Sequence, residues 1–390
     1  MVAQMAFRTI VVNENGNRNV PYGNQNGKRW DASVLRRGGV TCESVFMKIQ
    51  FAGNFKKIAG MENLLQAWKE FAAGKRKKQD VQEFQFRLMD DLFALHADLV
   101  NHTYRHGGYQ AFKISDPKPR DIHKASVRDR LLHHAIYRVL YPFFDRTFIA
   151  DSYSCRIGKG THKALDRFRS FARQAGRNNT RTVWISKCDI RKFFASIDHR
   201  ALMEILKTRI EDPEIIELLC EVIESFSSIS PGVGPTSPQW LRGIGLPLGN
   251  LTSQLFVNIY MNEFDQFVKH ELRAEQYIRY ADDFVIFSPN RAWLEVIVPE
   301  IGNFLANRLK LALHPKKVSL TTLASGVDFL GWIHFPDHRV LRTATKRRMM
   351  KRIALHPTNE TIASYRGMLS HGNARKIEKL VDIRRCEKYQ

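Results

Sequence analysis

The chain has 390 residues, of which 44% are hydrophobic, so it is long enough to bury a large core as one multi-subdomain protein. This hydrophobic share supports a folded chain. The 61 Lys and Arg residues outnumber the 39 Asp and Glu residues and give a formal net charge of +22, which makes a polyanion such as nucleic acid the first partner to expect.

The cysteines and the apolar runs restrict the class of protein further. The five cysteines form no Cys-x-x-Cys pair and their number is odd, which argues against a disulfide framework and against a zinc knuckle. No uninterrupted apolar run approaches the length of a membrane span, and the first residues lack the layout of a signal peptide. The sequence therefore predicts a cytoplasmic protein with reduced thiols and no membrane partner.

The first 108 residues are predicted to have two parts. Residues 1–45 are rich in Asn, Gly and Arg, bury little apolar surface, and are expected to be flexible. Residues 46–108 carry apolar side chains at helical spacing, among them Leu64, Trp68 and Phe71. We expect these residues to form a helical extension.

The next segment combines predicted strand and helix. Residues 112–114 are predicted as a strand, residues 131–144 as a helix that ends near Pro142, and residues 161–175 as a second helix. His133 lies among apolar residues without a paired metal-ligand spacing, which predicts a structural histidine. The second helix carries a basic stripe that is expected to face nucleic acid: Arg167, Arg169 and Arg173.

Three acids are predicted to meet in a β-rich region. Residues 183–185 begin a strand-like run that ends at Asp189, and residues 277–287 have the pattern of a hairpin with Asp282 and Asp283 at its tip. Neighbouring side chains of a strand point to opposite faces, so this pair needs a third carboxylate from another strand. Converging carboxylates suit Mg²⁺ and phosphoryl or nucleotidyl transfer, whereas ordinary turn chemistry is the alternative.

The motifs around these acids follow an order known from one family. The sequence Tyr-Ala-Asp-Asp at residues 280–283, together with Asp189, resembles the catalytic centre of reverse transcriptases. Residues 120–144 resemble the fingers motif of that family, residues 245–254 its template and nucleotide motif, and residues 329–332 its primer grip. The resemblance implies an α+β right-hand polymerase fold with fingers, a palm of antiparallel sheet flanked by helices, and a short helical thumb.

The resemblance also implies subdomain boundaries and partners. Fingers are expected at residues 109–180, the palm at residues 181–328, and the primer grip with a short basic thumb at residues 329–390. The implied partners are template RNA, the RNA–DNA duplex and deoxynucleoside triphosphates.

Three groups of site residues follow from the resemblance. Asp189, Asp282 and Asp283 are expected to be catalytic and to hold two Mg²⁺ ions, for which Mn²⁺ could substitute, with Ile190 also in the metal site. The residues expected to bind the nucleotide are Arg120, Arg128, Phe194, Leu248, Gly249, Gln254 and Lys317. The residues expected to bind primer or template are Tyr280, Phe329, Leu330, Gly331, Trp332, Lys346, Arg347 and Arg348.

Individual roles are implied for some of these residues. Arg120 and Arg128 would close on the triphosphate, with Lys118 and Arg130 as weaker candidates. The ring of Phe194 would lie beneath the sugar and exclude a 2′-hydroxyl, while Phe193 is expected in the core. Lys317 is expected to protonate the leaving pyrophosphate.

One motif departs from the broad family pattern. Most reverse transcriptases have Gln before Gly249 and Ser-Pro after it, whereas this chain has Leu248 and then Ser253 and Gln254. This variant resembles the enzymes of diversity-generating retroelements, which copy RNA with errors at adenines and work with a small basic accessory protein. A phage-defence, CRISPR-associated or group II intron-like reverse transcriptase is the alternative within the family, and a nucleotide cyclase or a non-catalytic RNA-binding scaffold is the alternative outside it.

Overall fold

The computed structural model describes residues 50–114, 119–227 and 243–386, with side chains described as far as residue 381. The Asn-rich segment predicted at residues 1–45 therefore lies outside the described residues, as does Lys118.

The predicted helical extension is present. It consists of α1 (Phe55–Ala59), α2 (Met61–Ala72), α3 (Gln79–Phe86) and α4 (Leu88–Val100). The apolar residues at helical spacing, Leu64, Trp68 and Phe71, are buried. The chain turns between α2 and α3 at Gly74, whose φ of +71° favours glycine, and at the basic residues 75–78 that follow it.

A hairpin and a long helix follow the extension. Strands β1 (Gln110–Ile114) and β2 (Arg120–Lys124) pair antiparallel and lie largely exposed. Helix α5 (Val127–Asp145) begins at the side-chain cap of Ser126 and packs against α2. It runs three residues beyond Pro142, because a proline in the last turn removes only one hydrogen bond. Its His133 is 1% exposed, as a structural histidine should be.

The centre of the molecule is an antiparallel sheet of four strands in the order β4-β5-β3-β6. The strands are β3 (Trp184–Asp189), β4 (Tyr277–Tyr280), β5 (Asp283–Ser288) and β6 (Ser319–Thr322). Side chains alternate between its faces: Val285 packs with the residues of helix α6 (Thr161–Ala175), whereas Phe284 joins the larger core. The predicted antiparallel sheet flanked by helices is confirmed.

Helices cover the second face of this sheet. Helix α9 (Leu251–Gln266) is buried along most of its length and continues into a π-helical turn at Phe267–Glu271. The other helices of this region are α7 (His199–Lys207), α8 (Pro213–Glu224) and α10 (Arg291–Leu309).

The last part of the described chain has its own small core. Strands β7 (Val327–Phe329), β8 (Trp332–His334) and β9 (Arg339–Leu341) form a second antiparallel sheet. It is followed by α11 (Thr343–Leu355), α12 (Asn359–Leu369) and α13 (Arg375–Cys386). Trp332 and Leu341 pack against the buried residues of these helices. None of the helices in the described ranges is long and apolar enough to cross a bilayer.

Candidate active site

The three predicted acids lie at one edge of the central sheet. Asp189 is the last residue of β3 and is directly opposite Asp283, the first residue of β5. Asp282 lies in the two-residue turn between β4 and β5, and its carbonyl accepts a hydrogen bond of 3.2 Å from the amide of Ile190. The strand register therefore brings together two segments that are about ninety residues apart in the sequence.

Burial and mutual repulsion dominate the electrostatics of the turn. Burial raises the pKa of Asp282, and the negative charge of Asp189 raises it further. Burial likewise raises the pKa of Asp283 to about 7, with contributions from Asp282 and Asp189, while the Lys187 ammonium opposes the shift. Lys187 Nζ lies 3.7 Å from Asp283 Oδ2, and Asp283 Oδ1 is buried without a hydrogen-bond partner.

Two of the predicted basic residues lie near these acids. Lys317 Nζ donates to both carboxylate oxygens of Asp189, at 2.8 and 2.9 Å. The loop that carries Lys317 is tied to the same strand end, because the His314 amide donates to the Asp189 carbonyl at 2.7 Å. The positive charges of Lys317 and Arg120 both lower the pKa of Asp282, although burial outweighs them.

The donor set fits a hard divalent cation. Carboxylate oxygens are the ligands that Mg²⁺ prefers, and a cation would relieve the repulsion around the buried, unpaired oxygen of Asp283. Within the described ranges, however, no three His, Cys, Asp or Glu side chains already surround one point. A cation at Asp189 would have to displace Lys317. Ile190 is 1% exposed and has no ligating side-chain atom, so only its main chain could bind.

The segment at residues 245–254 lies against the β1–β2 hairpin and against the residues that follow β3. The Leu246 amide donates to the Phe194 carbonyl at 2.8 Å. Gly249 has a φ of +108°, and a Cβ there would lie 3.0 Å from Cγ2 of Ile122 in β2. The backbone conformation therefore favours glycine at this position, and a Cβ would also crowd the Ile122 side chain.

The two residues that flank Gly249 both form hydrogen bonds with the main chain of His123 in β2. The carbonyl of Leu248, whose side chain is half-buried, accepts from the His123 amide at 3.1 Å. Asn250 stands at the N-cap position of α9 but uses its side chain to donate to the His123 carbonyl at 3.2 Å. Gln254 is half-buried on the first turn of α9.

The two phenylalanines after Asp189 differ as predicted in their packing. Phe193 is 4% exposed and belongs to the core. Phe194 is half-buried beside it, with the ring centroids 5.5 Å apart. Tyr280 is also half-buried, and its hydroxyl accepts from Thr161 Oγ1 at 3.1 Å.

Several predicted nucleic-acid contacts are engaged elsewhere. Arg128 forms an ion pair with Asp98 at 2.5 Å and stacks on Tyr104, so its guanidinium links α5 to the helical extension. Arg167, predicted in the basic stripe of α6, pairs instead with Asp151 at 2.7 Å. Arg130 pairs with an acid of α3, likewise at 2.5 Å. Each of these arginines is thus paired with an acid of the same chain. The spacing of basic residues along the sequence does not reveal such partners.

The predicted primer grip forms a hairpin whose larger side chains are buried. Phe329 and Trp332 are 0% and 2% exposed, so their side chains belong to the core, and a primer contact at this hairpin stays a prediction for its turn and main chain. Leu330 and Gly331 between them have φ values of +50° and +85° and form the half-buried turn of the β7–β8 hairpin. Lys346, Arg347 and Arg348 lie on α11, whose Met349 and Ile353 face the small core.

Sequence reasoning missed two charged residues behind the turn. Arg279 in β4 and Asp265 in α9 are 1% and 0% exposed and form an ion pair of 2.6 Å. A signal was present in the sequence for Arg279 alone, which is the one charged residue of the short strand Tyr-Ile-Arg-Tyr; Asp265 lies in a helix that carries several other polar residues, among them Glu263. Lys187, beside Asp283, was missed as well.

Comparison with known proteins identifies the family. The family model described as "Reverse transcriptase (RNA-dependent DNA polymerase)" matches residues 113–334, more than half of the chain and all three acids. The chain belongs to this family of RNA-dependent DNA polymerases. Enzymes with this domain generally use divalent metal ions and bind RNA templates, and the match favours a polymerase over a nucleotide cyclase.

Individual relatives are distant. The chain is 26% identical to protein YkfC of Escherichia coli (strain K12) over 307 residues, which cover 70% of this chain and 77% of YkfC. It is 22% identical over 301 residues to the group II intron-encoded protein LtrA of Lactococcus lactis, covering 61% of this chain and 47% of LtrA. The chain thus spans about half the length of LtrA.

Solved telomerase structures are also similar to this chain. A telomerase from Candida albicans, solved with a fragment of telomeric RNA, gives a TM-score of 0.46 at 10% identity. The match covers 66% of this chain and 52% of the telomerase chain. An apo telomerase from Candida tropicalis gives 0.43 at 14% identity, covering 60% and 54%.

Proposed function

We propose that this chain synthesises DNA on a template RNA, and that it serves a diversity-generating retroelement. The observation that carries the polymerase assignment is the strand register that sets Asp189 opposite Asp283 and beside Asp282, inside the segment that matches the reverse transcriptase model. The three carboxylates would hold two Mg²⁺ ions. When bound, the ions would activate the primer 3′-hydroxyl and offset the charge of the triphosphate.

The residues around the acids supply the remaining chemistry of the proposal. Arg120, whose charge already acts on Asp282, would bind the triphosphate. Lys317 would leave Asp189 and give a proton to the departing pyrophosphate. Phe194 would lie beneath the sugar and exclude a 2′-hydroxyl by contact.

The retroelement assignment depends on the variant motif at residues 245–254. An apolar Leu248 in place of Gln offers no amide with which to hydrogen-bond near the templating base, and we expect control over that base to be loosened. Leu248 is half-buried, and the hydrogen bond from the His123 amide to its carbonyl ties this segment to β2. In this role the chain would bind a small basic accessory protein.

A group II intron-like reverse transcriptase is the second candidate. The observation that favours it is the match to LtrA, which is named as a group II intron-encoded protein. Misincorporation opposite template adenine separates the two. A high rate that falls in Leu248→Gln supports the retroelement assignment, whereas equal rates in the two proteins remove Leu248 from it.

The polymerase assignment is tested by primer extension on a defined RNA template with Mg²⁺. Asp282→Asn should retain its thermal melting profile and its RNA affinity but lose nucleotide incorporation. Asp337→Asn removes the same charge from an exposed turn and should extend primers normally. DNA synthesis by Asp282→Asn at the wild-type rate would refute the assignment, and loss of RNA binding in both variants would point to misfolding instead.

A further inference from the structure

The fully buried arginine of β4 makes contacts that extend to the acidic turn. Arg279 is the largest side chain among those with less than 2% exposure, and its partner Asp265 is completely buried in α9. Removing two charges from water is costly, and the desolvation penalty of such a pair can exceed the attraction between its members. Replacement by apolar residues of similar volume is often neutral or stabilising, so the pair needs an explanation beyond stability.

The guanidinium of Arg279 binds three different groups. Its Nε and Nη2 donate to the two oxygens of Asp265 at 2.7 and 2.6 Å, a two-pronged pairing that fixes the plane of the guanidinium. Nη2 also donates to Ser152 Oγ at 3.1 Å. The remaining nitrogen, Nη1, donates at 3.1 Å to the carbonyl of Ala281, the residue before Asp282.

Ala281 is the strained residue of the turn. Its φ is +56°, a left-handed conformation that costs roughly 1–2 kcal/mol for a residue with a Cβ. The carbonyl of Ala281 and the amide of Asp282 belong to one planar peptide, so fixing the carbonyl fixes that plane. The contact from Arg279 therefore restrains the backbone from which the Asp282 carboxylate projects.

The position of Arg279 is in turn fixed from several sides. Its amide donates to the Asp151 carbonyl at 3.0 Å, and its carbonyl accepts from the Tyr153 amide at the same distance. The Tyr277 hydroxyl donates to Asp265 Oδ1 at 2.7 Å and holds that carboxylate. The guanidinium is thus supported by a helix and by the segment beside β4, neither of which carries one of the three acids.

We propose that Arg279 is a positioning residue that holds the 281–282 peptide so that the Asp282 carboxylate can act in catalysis. This inference rests on the proposed polymerase function. Only an arginine fits the role, because its planar fork presents separate donors to Asp265, Ser152 and Ala281 at once. A lysine could keep the charge beside Asp265 but would have no fixed fork with which to bind the turn.

A triple variant separates positioning from stability. Asp265→Leu with Arg279→Met replaces the buried pair by apolar side chains, and Tyr277→Phe removes the hydroxyl that would be left unpaired. We expect the triple variant to fold, to bind primer–template and nucleotide with KM values near those of the wild type, and to lose on the order of 10²-fold in kcat, the cost of a small misplacement of a catalytic group.

The chain provides a matched control on the same helix. Arg209 pairs at 3.2 Å with Glu263, two residues before Asp265, and no contact of this pair with the turn is present in the described structure. Arg209→Met with Glu263→Leu should leave kcat unchanged. Arg279→Lys gives a second test, because it retains the charge and should fold even if the triple variant does not, yet it should show the same fall in kcat.

The outcomes discriminate between the two proposals. A folded triple variant or Arg279→Lys with wild-type kcat would overturn the positioning role while leaving the polymerase assignment intact. An equal loss of kcat in the Arg209 and Glu263 control would also overturn it, because the effect would then belong to ion pairs of α9 in general. If the wild type itself extends no primer, the polymerase assignment fails, and the positioning role that rests on it fails with it.

Discussion

An arginine-lined groove on the outer face of α6 is expected to contribute to RNA binding. Arg169, Arg173 and Arg177 line an open groove of about 640 Å³, and no carboxylate of the described residues forms an ion pair with any of them. The one acid in the groove, Asp166, is itself paired with Arg339 at 3.2 Å. The groove is therefore a row of uncompensated positive charge.

The groove is distant from the acids. Helix α6 begins at Thr161, beside Tyr280, and a rise of about 1.5 Å per residue places Arg169 roughly 12 Å and Arg173 roughly 18 Å further along the axis. The part of an RNA that bound there would lie outside the templating position. The groove should then contribute to the affinity for a long RNA and not to incorporation on a short template.

Replacing the three arginines by alanine should remove about three phosphate contacts. For single-stranded RNA each contact contributes about 0.7 to the slope of log Kobs against log salt, so the slope should become shallower by about 2. Between 50 and 200 mM salt, the wild type should thus lose about 20-fold more affinity than the variant. Fluorescence anisotropy with a long RNA measures this, and extension of a short primer–template should remain unchanged.

A matched control removes the same charge from elsewhere. Arg87, Arg200 and Arg291 each pair with an acid four residues later on an exposed helix surface. Their alanine variant should keep more of the wild-type salt slope. A wild-type slope in the groove variant, or an equal flattening in the control, would refute the reasoning, because only total charge would then matter.

Three further predictions concern Lys317, Gly249 and His334. Lys317→Met removes the competitor for Asp189 and should lower the Mg²⁺ concentration required for half-maximal extension while also lowering kcat; a higher requirement would contradict this. Gly249→Ala should lower the free energy of unfolding by about 1–2 kcal/mol in urea, whereas Gly367→Ala, in a helix with free space, should not. Burial lowers the pKa of His334 to about 3, so the unfolded state binds the proton first and this residue alone should lower the free energy of unfolding by up to ~1.4 kcal/mol per pH unit from pH 6.5 towards pH 3; His334→Gln should remove that contribution from the profile measured by urea unfolding and leave those of His133 and His134.

The sequence was most informative where periodicity and register decide the structure. The helix predicted at residues 161–175 has those bounds, and the hairpin at residues 277–287 has its acids at the turn. Alternation of side chains predicted a third acid from another strand, and the strand register sets Asp189 opposite Asp283. These features depend on local patterns that the chain repeats over many residues.

The sequence was least informative about which partner each charged residue would find. Arg128 and Arg167 have spacing suitable for phosphate contacts, yet each pairs with an acid distant in the sequence. Phe329 and Trp332 have the spacing of a primer grip, but Phe329 is buried against Phe168 of the earlier helix α6 and Trp332 against helices that come later in the chain. Such partners depend on packing between elements, which spacing along one element does not specify.

The charges around the turn explain why metal and nucleotide should bind together. Three carboxylates lie near three cationic side chains in this region, so the site carries little net charge, and a small positive one where Asp283, with its pKa of about 7, is protonated: Asp189, Asp282, Asp283, Lys187, Lys317 and Arg120. Two divalent ions alone would leave the site strongly positive, whereas a triphosphate arriving with them would offset most of that charge. Mg²⁺ in proteins is commonly held by one or two carboxylates together with substrate phosphates.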